Sequence, residues 1–181
     1  LLTGHARILQ KSLLSLLSSP RMLRSSANLN ATILHAKART AQFEEVSNDS
    51  ALVRVRAGQQ KAQGAILYLH GGGFILGGLH GYRALTATLA AKAAMPVYFL
   101  EYAKAPEHPY PTAINQAEDA FTNLTATYGA GSIRIMGDSA GGGLALALLH
   151  RLIAKQSALP QALALFSPLT NLATELPSFK N

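Results

Sequence analysis

The residues best suited to chemistry stand in two glycine-rich runs, His70-Gly71-Gly72-Gly73-Phe74 and Gly137-Asp138-Ser139-Ala140-Gly141-Gly142. The second contains a Gly-x-Ser-x-Gly pattern. Where such a pattern joins a strand to a helix it makes a tight elbow, flanked by glycines because β-carbons would collide with the neighbouring backbone, and the serine projects from the apex. Ser139 is therefore the candidate nucleophile for attack on an acyl carbonyl. That attack produces a tetrahedral intermediate with an anionic oxygen, which backbone N–H groups at about 2.7–3.1 Å stabilise. Glycines let a backbone approach that closely, so the first run reads as an oxyanion hole. Its candidate residues are Gly71, Gly72 and Gly73, joined by Ala140 directly after the nucleophile; Gly72 and Gly73 lead, and Gly71 is expected to shape the loop. A helix opening at Ala140 would add the positive end of its dipole. A phosphate-binding reading of the same glycines is disfavoured, because no Gly-Lys-Ser/Thr follows and Gly-x-Gly-x-x-Gly is absent from 71–77.

A serine hydroxyl is a weak nucleophile until a base takes its proton, and with this motif the partners follow in the order Ser, Asp or Glu, His. After Ser139 the only acid is Glu175 and the only histidine is His150. His150 lies eleven residues along the expected helix, about 16 Å down its axis at about 1.5 Å per residue, so it reads as a helix-surface or packing residue. His5 and His35 fall in the N-terminal region, His80 follows the glycine loop, and His108 sits in a proline-rich loop. His70 is read as the residue that orients the loop and Asp138 as a structural residue pointing away across the elbow. Asp49 and Asp119 read as turn and helix-surface residues. No triad acid or histidine is thus assigned within this chain.

These residues need elements to hold them. Ahead of the first run stands the apolar stretch Ala65–Leu69, and ahead of the second Ile133–Met136. Further apolar runs at Val97–Tyr102 and Ala162–Phe166 alternate with helical patterns near Tyr82–Ala94, at Thr112–Tyr128 and at Ala140–Lys155, giving the order βαβαβαβ. Strands too apolar to have a wet face, linked by helices, predict a mostly parallel sheet covered on both sides, with ligands at the carboxyl ends of the strands. Both glycine runs fall at that edge. Upstream, Phe43–Ser47 and Ala51–Ala57, separated by Asn48-Asp49-Ser50, predict an antiparallel hairpin. Earlier still, residues 5–19, with Leu9, Leu13, Leu16 and Leu17 at helical spacing, and 30–42 read as helices. The expected organisation is accessory cap helices over 1–42 and a catalytic core over 43–181.

Composition narrows the class. With 49% hydrophobic and 14% charged residues the chain is globular, and no apolar stretch reaches the length of a membrane span. The absence of cysteine excludes a disulfide framework, a thiolate metal site and a cysteine nucleophile, and points weakly to the cytoplasm. The net charge of +7 is concentrated at the front: six basic residues and no acid precede Glu44. The body is nearly neutral, which disfavours nucleic acid as a partner. The acid-free front also fits an organellar targeting segment, although cap helices are the favoured reading. Because the first residue is Leu1, the natural start is expected upstream.

Taken with Tyr102-Ala103-Lys104-Ala105-Pro106-Glu107-His108-Pro109, the two glycine runs resemble the hormone-sensitive-lipase-like branch of the α/β-hydrolases, the bacterial family IV esterases. The match runs from about Phe43 to Leu172. The resemblance implies an α/β-hydrolase fold, incomplete at its C-terminal end, and hydrolysis of short or medium acyl esters through a serine nucleophile and an acyl-enzyme. It implies a small-molecule ester as partner, no cofactor, no metal, no stable membrane insertion, and leaves a homo-oligomer open. It also implies two further strands beyond Asn181, carrying the acid and the histidine, so that this chain alone is expected to show little Ser139-dependent turnover. The alternatives are a non-catalytic α/β-hydrolase-like binding protein or pseudoenzyme, and an amide or carbamate hydrolase. Two departures stand out. Ala103 replaces the family's usual arginine and Lys104 a usually apolar residue, so a structural ion pair is expected to be missing; Leu169 and Asn171 replace the family's usual tryptophan and aspartate, which concerns the pocket.

Overall fold

The computed structural model describes residues 40–46 and 51–171. The cap helices expected before residue 40, the turn Asn48-Asp49-Ser50 and Glu175 lie outside them. In chain order the elements are β1 (Gln42–Glu45), β2 (Leu52–Arg56), β3 (Ala65–Leu69), α1 (Leu79–Ala93), β4 (Val97–Leu100), α2 (Thr112–Tyr128), a 3₁₀ turn (Ala130–Ser132), β5 (Ile133–Asp138), α3 (Ser139–Ala154) and β6 (Ala162–Phe166). The expected helix over 30–42 does not reach its predicted end: Thr40 is a turn and Gln42 already pairs in β1.

The described strands form one sheet of order β1-β2-β4-β3-β5-β6. β1 and β2 make the expected antiparallel edge and β2 runs antiparallel to β4, while β4, β3, β5 and β6 are mutually parallel. Central β3 explains why the sheet must be covered twice. All five of its residues are buried, and alternate side chains point to opposite faces. Ala65, Leu67 and Leu69 pack with Phe121 and Leu124 of α2 and with Leu144 and Leu148 of α3. Ile66 and Tyr68 pack on the other face with Ala87 and Ala90 of α1. Truncating a fully enclosed leucine such as Leu67 to alanine would cost about 2–5 kcal/mol. On the first face α2 and α3 are also joined by Glu118, which accepts from Arg151 at 3.1 Å and from Lys155.

Two element ends differ from the sequence pattern for the same reason, a partner distant in the chain. α1 starts at Leu79, three residues before the expected Tyr82, because the Glu101 carboxylate accepts the Leu79 N–H at 2.7 Å and so caps the helix from the end of β4. β4 stops at Leu100, where Tyr102 had been expected as its end, because Tyr102 turns inward and donates its hydroxyl to the His70 carbonyl at 2.8 Å.

Candidate active site

β5 ends at Asp138 and α3 begins at Ser139, with no intervening loop. The chain reverses so sharply that Ser139 takes φ 50°, a left-handed value that costs a non-glycine residue on the order of 1–3 kcal/mol. Its side chain is left exposed at the carboxyl edge of the sheet. Packing maintains this geometry. A β-carbon on Gly141 would run into the carbonyl oxygens of Leu69 and His70, and one on Gly137 would lie 2.6 Å from the Gly141 oxygen. On the far side, the Leu169 N–H donates to the Ser139 carbonyl at 2.8 Å and fastens the segment after β6 to the elbow.

The glycine loop leaves β3 beside it. Gly72 and Gly73 adopt φ 118° and 62°, and the Gly72 carbonyl accepts from Leu76 at 2.8 Å and Ile75 at 3.1 Å, which closes a tight turn. Among the described residues no acceptor takes the Gly72 or Gly73 amide. Ala140 is buried in the first turn of α3, where N–H groups have no partner within the helix. Gly71 behaves differently from its three companions. Its N–H points inward and is shared between Asp138 Oδ1 at 3.0 Å and the Tyr82 hydroxyl at 3.1 Å, which takes it out of the set of available donors. Its place is to shape the loop.

Asp138 is the hinge between the two runs. Besides Gly71 it accepts from the Tyr68 hydroxyl at 3.0 Å and the Tyr82 hydroxyl at 2.8 Å. Burial, reinforced by the Asp138 carboxylate, pushes both phenols well above the ordinary tyrosine range, so both remain protonated donors. The residue beside Ser139 thus grips β3, α1 and the glycine loop with one carboxylate.

His70 lies beneath the loop, fully buried and stacked between Tyr102 at 4.2 Å and Phe99 at 5.3 Å. Burial pushes its imidazole down to about 4, so the ring is neutral. Nδ1 sits 2.7 Å from the Gly71 carbonyl, which can only accept, so the hydrogen is assigned to Nδ1. Nε2 has no partner among the described residues. A ring so enclosed cannot reach an exposed serine. His150 lies on the exposed side of α3, eleven residues from Ser139, and Asp119 is exposed on α2.

An ion pair does form in the segment where one was expected to be missing. Lys104 Nζ lies 2.9 Å from Glu101 Oε1, while Glu101 Oε2 caps α1. The sequence reading passed over Glu101, Tyr68 and Tyr82, whose partners lie 22, 70 and 56 positions away. No local signal marks them.

Alongside the elbow is a cavity of about 630 Å³, lined chiefly by apolar side chains including Phe74, Ile114, Leu144 and Leu169. Among the described residues no group of three or more histidine, aspartate or glutamate side chains could hold a metal ion, and no helix is long and apolar enough to cross a membrane.

A family profile described as the alpha/beta hydrolase fold matches residues 66–181. An esterase of Acinetobacter venetianus is 40% identical over 134 residues, covering 71% of this chain and 44% of the relative. The carboxylesterase/phospholipase LipF of Mycobacterium tuberculosis is 40% identical over 124 residues, covering 66% of this chain and 33% of its own. Among solved structures, an esterase/lipase from an uncultured bacterium superimposes with a TM-score of 0.81 at 30% identity, covering 90% of this chain and 55% of that one. An esterase from the bacterial hormone-sensitive lipase family gives 0.80 at 29% identity, covering 87% and 54%. The chain spans less than half the length of these curated relatives and about half that of the solved ones.

Proposed function

Because the chain belongs to the α/β-hydrolase fold family, in its hormone-sensitive-lipase-like branch, we propose that it serves a serine carboxylic ester hydrolase acting on short or medium acyl esters. The observation that carries this reading is the exposed, left-handed Ser139 at the strand-to-helix elbow, facing the same sheet edge as the uncommitted amides of Gly72 and Gly73. Ser139 Oγ forms a bond to the ester carbonyl carbon as the carbonyl electron pair moves onto oxygen. The amides of Gly72, Gly73 and Ala140 stabilise that oxyanion, each such donor being worth about 10²–10³ in kcat. Collapse breaks the bond to the alkoxy group, which leaves with a proton as the alcohol, and water then releases the acid from the acyl-serine. The base that accepts the Ser139 proton is assigned to a residue outside the described ones, since His70 is enclosed and His150 stands eleven residues down α3.

The test compares p-nitrophenyl acetate and butyrate hydrolysis by the product of the whole reading frame containing this sequence with that of its Ser139→Ala variant. The variant should lose several powers of ten in kcat. Equal rates would remove Ser139 from the mechanism, and binding of the esters without turnover by the parent would favour a receptor-like protein.

A further inference from the structure

We infer that a groove at the amino ends of the parallel strands binds a small phosphate monoester, its phosphate group held chiefly by Arg54 and Arg56. Gly64, Pro96 and Ser132, which directly precede β3, β4 and β5, line a cavity of about 430 Å³ there. That lies within the range of about 300–1,000 Å³ that small ligands occupy. Ser139 follows the other end of β5, and six residues of strand at about 3.3 Å each put about 20 Å between the two edges. The groove is therefore separate from the elbow, and its ligand does not depend on Ser139 being a nucleophile.

Local folding brings the two arginines together. Alternation along β2 sends Arg54 and Arg56 to the same face as Leu52, which packs on the α2 side of the sheet, while Val55 packs on the other. Tyr128, the last residue of α2, forms another part of the wall, its hydroxyl 2.8 Å from that of Tyr98, the β4 residue paired with Arg54. Burial holds the Tyr128 phenol above the ordinary tyrosine range while both arginines pull it down, which places both guanidiniums within electrostatic reach of that wall. Gly64, at φ 100°, brings the loop before β3 so close to the turn before β5 that a β-carbon would collide with the Ser132 carbonyl.

The charge in the groove calls for an anion. Two arginines and no carboxylate line it. Glu44 reaches them from β1, accepting from Nη2 of Arg54 at 2.6 Å and from Nη2 of Arg56 at 3.4 Å. One carboxylate against two guanidiniums leaves a positive charge and most of their N–H donors over. Arg54 Nε is buried with no partner among the described residues, so this guanidinium has given up water without a full set of acceptors in exchange. No acid precedes Glu44 in the chain, so the segment leading into β1 brings no second carboxylate. A ligand carboxylate would spend both its oxygens on one arginine fork. The three outward oxygens of a phosphate monoester accept from both guanidiniums and leave a lone pair for the Gln63 amide or the Ser132 hydroxyl. Pro96 and the Tyr128 ring offer apolar surface to the organic part.

The test titrates the full chain with inorganic phosphate, phenyl phosphate and benzoate at constant ionic strength, followed by the amide shifts in nitrogen–proton NMR spectra. Phenyl phosphate should shift amides within 54–64 and 128–133, binding at least about threefold tighter than inorganic phosphate and about tenfold tighter than benzoate. Arg56→Gln, at an exposed side chain, should weaken phenyl phosphate about tenfold or more, the loss of one charge-assisted hydrogen bond. Arg83→Gln removes the same charge from the opposite face, where Arg83 lies over the Phe43 ring, and should leave the affinity within about twofold. Gln63→Glu sets a carboxylate at an exposed position in the wall and should weaken binding as Arg56→Gln does, so a folding failure of one variant leaves the other to decide. Equal losses in Arg56→Gln and Arg83→Gln, an unchanged affinity in folded Gln63→Glu, or shifts centred on Gly72, Gly73 and Ala140 overturn the site. Benzoate or inorganic phosphate binding as tightly as phenyl phosphate overturns the phosphate monoester as its ligand. Loss or persistence of ester hydrolysis in Ser139→Ala bears on the elbow alone.

Discussion

Replacing Asp138 by asparagine tests whether one carboxylate couples the serine elbow to the glycine loop. The side chain keeps its shape, but where the aspartate accepts from Tyr68, Tyr82 and Gly71, the asparagine has one carbonyl oxygen and an NH₂ that confronts a donor with another donor. If the oxygen stays with Tyr68 and Gly71, the Tyr82 hydroxyl loses its acceptor; it is half-buried and recovers part of the loss from water. Losing one charge-assisted hydrogen bond and weakening two others from charged to neutral amounts to about 2–4 kcal/mol. Against a total stability of about 5–15 kcal/mol this is a large fraction. For a chain of this size about 1 kcal/mol moves Tm by about 2–4 °C, so thermal unfolding followed by circular dichroism should fall by about 4–16 °C. Tyr82→Phe in the parent should cost about 1 kcal/mol, and clearly less in the Asp138→Asn background, where the bond to residue 138 is already lost and only the shared, 3.1 Å bond from the Gly71 N–H remains. A Tm within 2 °C of the parent for Asp138→Asn, or additive losses in the double variant, would refute the coupling.

Three further outcomes follow from the same geometry. His70 is held neutral with its titration lowered to about 4 by burial, against about 6.5 unfolded, so the unfolded chain binds the extra proton between those values. Its contribution is complete above pH 6.5 and is lost as pH falls towards 4, about 3 kcal/mol in all; urea unfolding at pH 7, 5.5 and 4.5 should show a steeper acid loss in the parent than in His70→Phe, and parallel curves would contradict it. Gly141→Ala should yield little folded protein, measured as soluble protein after expression, because its β-carbon meets the Leu69 and His70 carbonyls; Gly73→Ala, whose β-carbon meets nothing within 4 Å, should cost only about 1 kcal/mol for its left-handed φ. Glu101→Gln should lower stability by about 1 kcal/mol through the weakened α1 cap and the lost Lys104 pair, with the loss shrinking in high salt.

The legible parts of this fold are those written locally. Ala65–Leu69, Thr112–Tyr128 and Ala162–Phe166 appear in the structure with the ends their patterns predict, because glycines, prolines and a change of period bound each run. The elbow was legible for the same reason: serine, glycines, preceding strand and following helix occupy fewer than twenty-five consecutive positions. What was hidden depends on residues that meet only after folding. The start of α1 depends on Glu101, the end of β4 on a hydrogen bond to His70, and the ion pair at Lys104 on the chain bending back after Tyr102. Gly71 shows the limit most sharply. Sequence places it in a run of three glycines as the one expected to shape the loop, and only the location of Asp138 reveals that its N–H is already taken.

That commitment has a consequence for how the site is assembled. A loop able to offer two uncommitted amides at once must be held by something other than those amides, and Gly71 supplies the hold. Its N–H is tied to Asp138, its carbonyl to His70 Nδ1, and the His70 carbonyl to Tyr102. These anchors join β3, the loop after β4, α1 through Tyr82, and β5 through the residue that precedes Ser139. Rotation of Asp138 would displace the glycine loop and Ser139 together, so a substitution there should lower stability and, on the proposed mechanism, oxyanion stabilisation jointly. A substitution at Gly73 should, on the same mechanism, act on a donor while the framework stands. Measured side by side, Asp138→Asn should change both Tm and the reactivity of Ser139 towards a fluorophosphonate, and Gly73→Ala should change reactivity with Tm lowered by no more than about 4 °C.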